Sequence, residues 1–119
     1  MNPELEQRLD LIEFRQQLLF NNDDYSRLLF EYNVTREQSD AIYDLFDRIR
    51  EQLDNGETVH HGSYEQSIYE IVSHHQHNYH FAESIAQTLH EQDRYTEAFE
   101  TLYGHMPKFQ QYLENHRSE

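Results

Sequence analysis

Apolar residues recur every three or four positions along most of the chain, which is the spacing of amphipathic helices. The clearest helix follows Thr35-Arg36-Glu37-Gln38, where the Thr and Gln side chains match a capping box. Similar patterns predict further helices over residues 1–20, 25–32 and 94–103. Three more helices are predicted to begin at a second capping box at 63–66, at residue 78 and at residue 107. The sequence therefore predicts six to seven helices of short to medium length.

The predicted N-terminal helix carries two apolar stripes. Asn2 and Pro3 are suited to its start, because Asn caps helices and Pro gives up no hydrogen bond at the first position. One stripe is spaced at four, three and seven residues, and its members are Leu5, Leu9, Ile12 and Leu19. The other stripe consists of Leu11, Phe14 and Leu18.

Two interpretations of this helix stay open. It is either a core helix buried on both sides, or a helix that packs on its own domain with one side and on a second subunit with the other. In the second interpretation, Leu5, Leu9, Ile12 and Leu19 are the candidate self-association residues, and a dimer is the favoured oligomer.

The composition agrees with an all-α chain. There are only 3 Gly and 2 Pro, too few for the regular turns of a small all-β protein. A length of 119 residues predicts a single compact multihelical domain over residues 1–119. The last six residues, 114–119, are expected to be a frayed tail.

The charge balance excludes several classes of protein. The sequence has 9 Lys and Arg residues but 23 Asp and Glu residues, which gives a formal charge of −14. Binding to nucleic acid or to an anionic membrane surface is therefore not expected. We find no apolar run of membrane-spanning length, no signal peptide and no cysteine, so we expect a cytoplasmic protein without disulfides or cysteine-based metal sites.

Several segments resemble the YhaI family of small uncharacterised proteins from Gram-positive bacteria. They are LEQRLDLIEF near the start, SYEQSIYEIV, FAESIAQTL and LHEQDRYTEAFETL, together covering most of Leu5 to Leu102. The resemblance implies an all-helical cytoplasmic protein with a domain of unknown function and no assigned activity. Asp93 stands where these proteins tend to carry Gly in a turn, and Asp tolerates turns. No catalytic residue is implied.

A histidine-rich segment is the strongest candidate for chemistry. Four of the nine histidines lie in HHQHNYH, residues 74–80. On a continuous helix, Glu70, His74 and His77 would share one face, and that ligand set suits zinc or another divalent metal. His60 and His61, in a nearby loop, would complete the ligand set. A solvated helix end rich in histidine explains the same residues without a metal, and no metalloprotease or di-iron motif is present.

The histidines also suggest a response to pH. Nine imidazoles with ordinary pKa values of about 6.5 gain charge on acidification, which relieves the self-repulsion of an acidic chain. Association or stability is then expected to change between about pH 7 and 5.

No catalytic motif is found, so a non-enzymatic role is favoured over an enzymatic one. The sequence predicts a small homo-oligomeric interaction or regulatory protein with an unidentified protein partner and no required cofactor. The alternative is a divalent-metal-binding module or metal-dependent enzyme that uses the segment around His74.

Overall fold

Seven α-helices form the fold, as a computed structural model of the chain describes for residues 2–117. No strand is found in that range, so the predicted all-α single domain is confirmed. The helices are α1 (Pro3–Asn21), α2 (Asp24–Glu31), α3 (Arg36–Asp54), α4 (His61–Ile71), α5 (Tyr79–Glu91), α6 (Thr96–Tyr103) and α7 (Pro107–Arg117). No helix within residues 2–117 combines the length and the apolarity needed to cross a bilayer.

Local capping explains where most of the helices begin. The Asn2 side chain accepts a hydrogen bond from the Glu4 amide at 2.8 Å, as predicted for the start of α1. The capping box at Thr35 is confirmed, with reciprocal bonds between Thr35 and Gln38 of 3.0 and 3.1 Å. The second predicted capping box is wrong, because α4 begins at His61 and Ser63 already lies in its first turn.

Aromatic side chains fill much of the core. Tyr64 and Tyr103 are buried with their hydroxyls satisfied: Tyr64 donates to the Ala82 carbonyl at 2.7 Å, and Tyr103 donates to the Glu65 carboxylate at 2.6 Å. Burial raises the pKa of both phenols well above the ordinary value. The ring centre of Phe46 on α3 lies 5.4 Å from that of Tyr64 on α4 and 5.2 Å from that of Tyr95, which precedes α6. These contacts join the middle of the chain into one core.

The turn between α5 and α6 has two residues in the left-handed region. Asp93 has a φ of 58° and Tyr95 a φ of 53°. Aspartate tolerates this conformation better than most residues. The Tyr95 hydroxyl donates to Asp47 on α3 at 2.7 Å, which holds the turn against the core. Because of these two residues, α6 begins at Thr96 rather than at Arg94, where the sequence placed it.

The C-terminal helix is longer than expected. It continues to Arg117, so residues 114–117 of the predicted frayed tail are helical. Residues 118 and 119 lie outside the described range. Leu113 and Phe109 are buried against the rest of the domain, and this packing extends the helix beyond what its polar sequence suggests.

Candidate interaction surface and histidine clusters

One side of α1 is apolar and exposed to solvent. We call this surface the outer face and define it by the four predicted self-association residues. Leu5, Leu9, Ile12 and Leu19 are 43–59% exposed. Helical geometry places Leu5 and Leu9 about 140–180° from Phe14 and Leu18, which are buried in the domain. The interpretation of α1 as a helix buried on both sides is therefore wrong for the single chain.

Arg36 on α3 fixes which side of α1 points outward. Its guanidinium lies 3.2 Å from the Asp10 carboxylate and 3.0 Å from the Gln17 side-chain oxygen. The same group lies 5.1 Å from the centre of the Phe14 ring. Arg36 thus contacts α1 at three successive turns, all on the side that faces the domain.

Arg15 makes a second attachment between α1 and the domain. Its guanidinium donates to the Phe30 carbonyl at 3.1 Å and to the Asn33 side chain at 2.8 Å. It also stacks 3.8 Å above the Phe30 ring, a close cation–π contact. The first eight residues of α1, from Pro3 to Asp10, are all exposed, so the helix extends past these attachments. The longest dimension of the molecule is 49 Å, against 29 and 25 Å.

The continuous helix that would align Glu70, His74 and His77 is absent. Helix α4 ends at Ile71, His74 lies in a single 3-10 turn, and His77 has a φ of 67°. Val72 leaves the helical region with a φ of −115° and is fully buried, which anchors the break. The three side chains therefore do not share one helical face. Within residues 2–117, no group of three or more His, Asp or Glu residues is placed to hold a metal ion.

Two histidines of this segment bind the end of another helix. The Nε2 atoms of His74 and His75 lie 3.0 and 2.8 Å from the Tyr32 carbonyl oxygen, which caps α2. Each imidazole can donate to this oxygen in the tautomer that protonates Nε2. The contact satisfies a carbonyl that the helix itself leaves free. A structural role therefore accounts for both imidazoles.

The other predicted metal ligands lie too far away to join them. His60 immediately precedes α4 and His61 is its first residue, whereas His74 follows the end of the helix. A helix of 11 residues separates the two groups by about 16 Å along its axis. The His61 ring instead lies 5.9 Å from Tyr103 and 5.8 Å from His105. The metal hypothesis stays a prediction, and this geometry offers it no assembled site.

One buried histidine, His90, was not predicted from the sequence. His90 on α5 is 1% exposed, and its Nδ1 atom lies 2.7 Å from the Tyr112 hydroxyl. Its Nε2 atom is 3.5 Å from the Glu100 carboxylate and forms no hydrogen bond among the described residues. The His116 ring is 4.5 Å away and contacts Asp93 at 3.4 Å. Only the position of His90 directly after buried Leu89 hinted at burial.

We expect His90 to make the fold less stable in mild acid. Burial lowers the pKa of this imidazole; Glu100 and Asp93 oppose the shift, and His116 adds to it. The folded chain then binds fewer protons than the unfolded chain, so stability is complete above about pH 6.5 and declines as the pH falls toward the folded-state pKa. Thermal melting between pH 8 and 5 measures this decline.

The His90→Gln variant should show a smaller decline than the parent. His80→Gln is the matched control, because His80 is exposed on the same helix. Equal declines in His90→Gln and the parent would contradict the assignment to His90.

A second buried polar group was also missed. Glu83 on α5 is 7% exposed, and its carboxylate oxygens lie 2.5 and 2.9 Å from the Lys108 ammonium on α7. Lys108 is the one lysine in the sequence. Glu83 lies between the buried pairs Phe81–Ala82 and Ile85–Ala86 on α5. These apolar neighbours were the one feature of the sequence that indicated its burial.

A shallow cavity of about 250 Å³ lies between α3 and α4. Leu45 and Ile49 form its apolar wall, and Arg48, His60 and Ser63 are among its polar residues. None of its described lining residues is a carboxylate. The cavity therefore has neither the carboxylate pair of a general acid–base catalyst nor the acid of a Ser-His-acid triad.

Comparison of the chain with protein-family models, with curated proteins and with solved structures finds no match. The resemblance to the YhaI family therefore stays a prediction.

Proposed function

We propose that this protein is a small, acidic, non-enzymatic interaction or regulatory protein that self-associates through the outer face of α1. The observation that carries the proposal is the exposure of Leu5, Leu9, Ile12 and Leu19 on one side of a helix whose opposite side is buried. Apolar residues that recur along one exposed helix face are typical of protein–protein contact. The predicted cytoplasmic location and an unidentified protein partner belong to the same proposal.

The energetics limit the outer face to a weak, reversible contact between two chains. Burying one leucine side chain completely contributes about 1.5–3 kcal/mol. Four half-exposed side chains from each chain then contribute on the order of 10 kcal/mol, which is comparable with the entropic cost of association. A charge of −14 on each chain opposes close approach, and salt screens it. Because these contributions nearly cancel, we expect a weak dimer whose formation depends strongly on protein concentration and is promoted by higher ionic strength.

Replacing both Leu9 and Ile12 by Asp is expected to give a folded monomer. Both side chains are about half exposed, so their replacement leaves the core of the domain unchanged. The two new carboxylates make burial of the outer face against a second chain unfavourable. Sedimentation over a range of concentrations measures the mass, and circular dichroism reports the fold.

The matched control is the double variant Gln7→Glu and Gln17→Glu. It adds the same charge to α1 away from the outer face, and position 17 keeps an acceptor for Arg36. This control should remain a dimer. A Leu9→Asp/Ile12→Asp variant with the dimeric mass of the parent would contradict the proposal.

Native mass spectrometry of protein purified without added metal tests the metal hypothesis in the same samples. A bound metal ion at a stoichiometry of one per chain, lost on chelation, would establish a metal site. His74→Gln would then show whether the predicted segment holds it.

A further inference from the structure

The outer face has the repeat of a coiled coil when one polar residue is included. Leu5, Leu9, Ile12, Gln16 and Leu19 follow one another at spacings of four, three, four and three. This alternation is the heptad pattern that keeps a helix in contact with a partner helix. In heptad terms, Leu9 and Gln16 occupy the a positions, and the other three residues occupy the d positions.

We infer that two copies of this chain pair through a parallel, in-register coiled coil of their α1 helices. This inference rests on the proposed self-association and specifies its partner and orientation. Because Phe14 and Leu18 face the domain on the opposite side of α1, the two domains lie on opposite sides of the helix pair and do not collide.

Charged residues beside the outer face support the parallel orientation. Arg8 occupies a g position and Glu13 the following e position, and both are exposed. Among the described residues, neither side chain forms an ion pair or a hydrogen bond within its own chain. In a parallel coiled coil, g of one helix faces the next e of the other, so Arg8 faces Glu13 of the second copy twice. In an antiparallel pair with Leu5 opposite Gln16, g faces g and e faces e. Arg8 then lies nearest Arg15 and Glu13 nearest Glu6, so like charges meet.

Gln16 supports the same orientation and register. In a parallel in-register pair, residues at a face each other, so the two Gln16 amides meet and can form a hydrogen bond. In an antiparallel pair, a faces d, and Gln16 then lies opposite Leu5 without a polar partner. A buried polar side chain without a partner is costly, so this position disfavours the antiparallel pair.

Disulfide trapping at position 5 tests the orientation directly, because the chain contains no cysteine of its own. In the parallel pair, the two Leu5 residues face each other at a d position, within the 7 Å or so between Cα atoms that a disulfide spans. In the antiparallel pair, Leu5 lies opposite Gln16, and the two backbones at position 5 are about 16 Å apart along the axis. The Leu5→Cys variant should therefore become a covalent dimer under mild oxidation.

The matched control for trapping is Gln7→Cys. Gln7 is exposed in the same turn but points away from the outer face, so this variant should remain mostly uncrosslinked. Equal crosslinking of the two variants would show random collision and overturn the inference.

Charge reversal gives an independent readout. Arg8→Glu and Glu13→Arg should each raise the dimer Kd about five- to thirtyfold, because each turns two attractive pairs into repulsive ones. A mixture of the two variants should form a heterodimer close to the parent in affinity, since opposite charges then meet at both pairs. Tighter dimerisation of Arg8→Glu alone would indicate the antiparallel pair.

The outcomes separate the two proposals. A dimer that traps at position 5 and follows the charge-reversal pattern supports both. A dimer that fails to trap overturns the parallel coiled coil and leaves self-association standing. A parent chain that is monomeric at all concentrations overturns both and assigns the outer face to a different protein.

Discussion

Replacing Phe99 by Ala is expected to lower the free energy of unfolding by about 3–5 kcal/mol. Phe99 is fully buried on α6, and its ring lies 5.0 Å from the His90 ring on α5 and 5.2 Å from the Phe109 ring on α7. Truncation removes contacts with both helices and leaves a cavity that they close only in part. Domains of this size have stabilities of about 5–15 kcal/mol, so the loss is a large fraction of the total.

Urea unfolding followed by far-ultraviolet circular dichroism measures this loss. Phe20→Ala is the matched control, because Phe20 is the same residue type but is 90% exposed. The control should change stability by less than about 0.5 kcal/mol. Both substitutions are best made in the Leu9→Asp/Ile12→Asp background, so that association does not contribute to the transition. A loss below about 1 kcal/mol for Phe99→Ala would contradict the packing described for α6.

Replacing Lys108 by Met is expected to destabilise the fold by about 2–3 kcal/mol. Methionine keeps most of the aliphatic stem but removes the ammonium, which leaves the buried Glu83 carboxylate without its cation. The lysine side chain is 51% exposed, so solvent screens part of the interaction and the loss falls below that of a fully buried pair.

A double-mutant cycle with Glu83→Gln isolates the pair. The double variant should be more stable than the sum of the two single losses predicts, because the unpaired charge is gone. Arg27→Met serves as the control for an exposed pair, since Arg27 and Asp24 are 61% and 69% exposed, and it should cost less than about 1 kcal/mol. Additive losses at Lys108 and Glu83 would show that the two groups are not coupled.

Local signals in the sequence predicted most of the fold. The Thr35 capping box and the apolar spacing of α3 identify that helix from adjacent residues alone, because capping and amphipathic burial act within a few turns. The Ser63 box failed because a capping motif acts only where the helix begins. Helix α4 begins two residues before Ser63, and Tyr64 is buried with its hydroxyl bonded to the Ala82 carbonyl.

The candidate sites were harder to predict, because their contacts join residues far apart in the chain. The spacing of Glu70, His74 and His77 suggested a metal site only if the helix continued, and the contact between His75 and the Tyr32 carbonyl spans 43 positions. No local pattern encodes that distance. On α1, periodicity identified two apolar stripes but not which of them the domain covers. That choice depends on Arg36, which contacts α1 from another helix.

The pairing of Lys108 with Glu83 also determines how the protein can be labelled. With one lysine in the sequence, the side-chain amine that dyes and biotin esters acylate is the one that neutralises a buried carboxylate. Acylation removes the positive charge, as Lys108→Met does, so a sample labelled in this way should have a weakened contact between α5 and α7. A thiol-reactive label on a cysteine introduced at Gln7 avoids this loss, because that side chain is exposed and far from the pair in sequence.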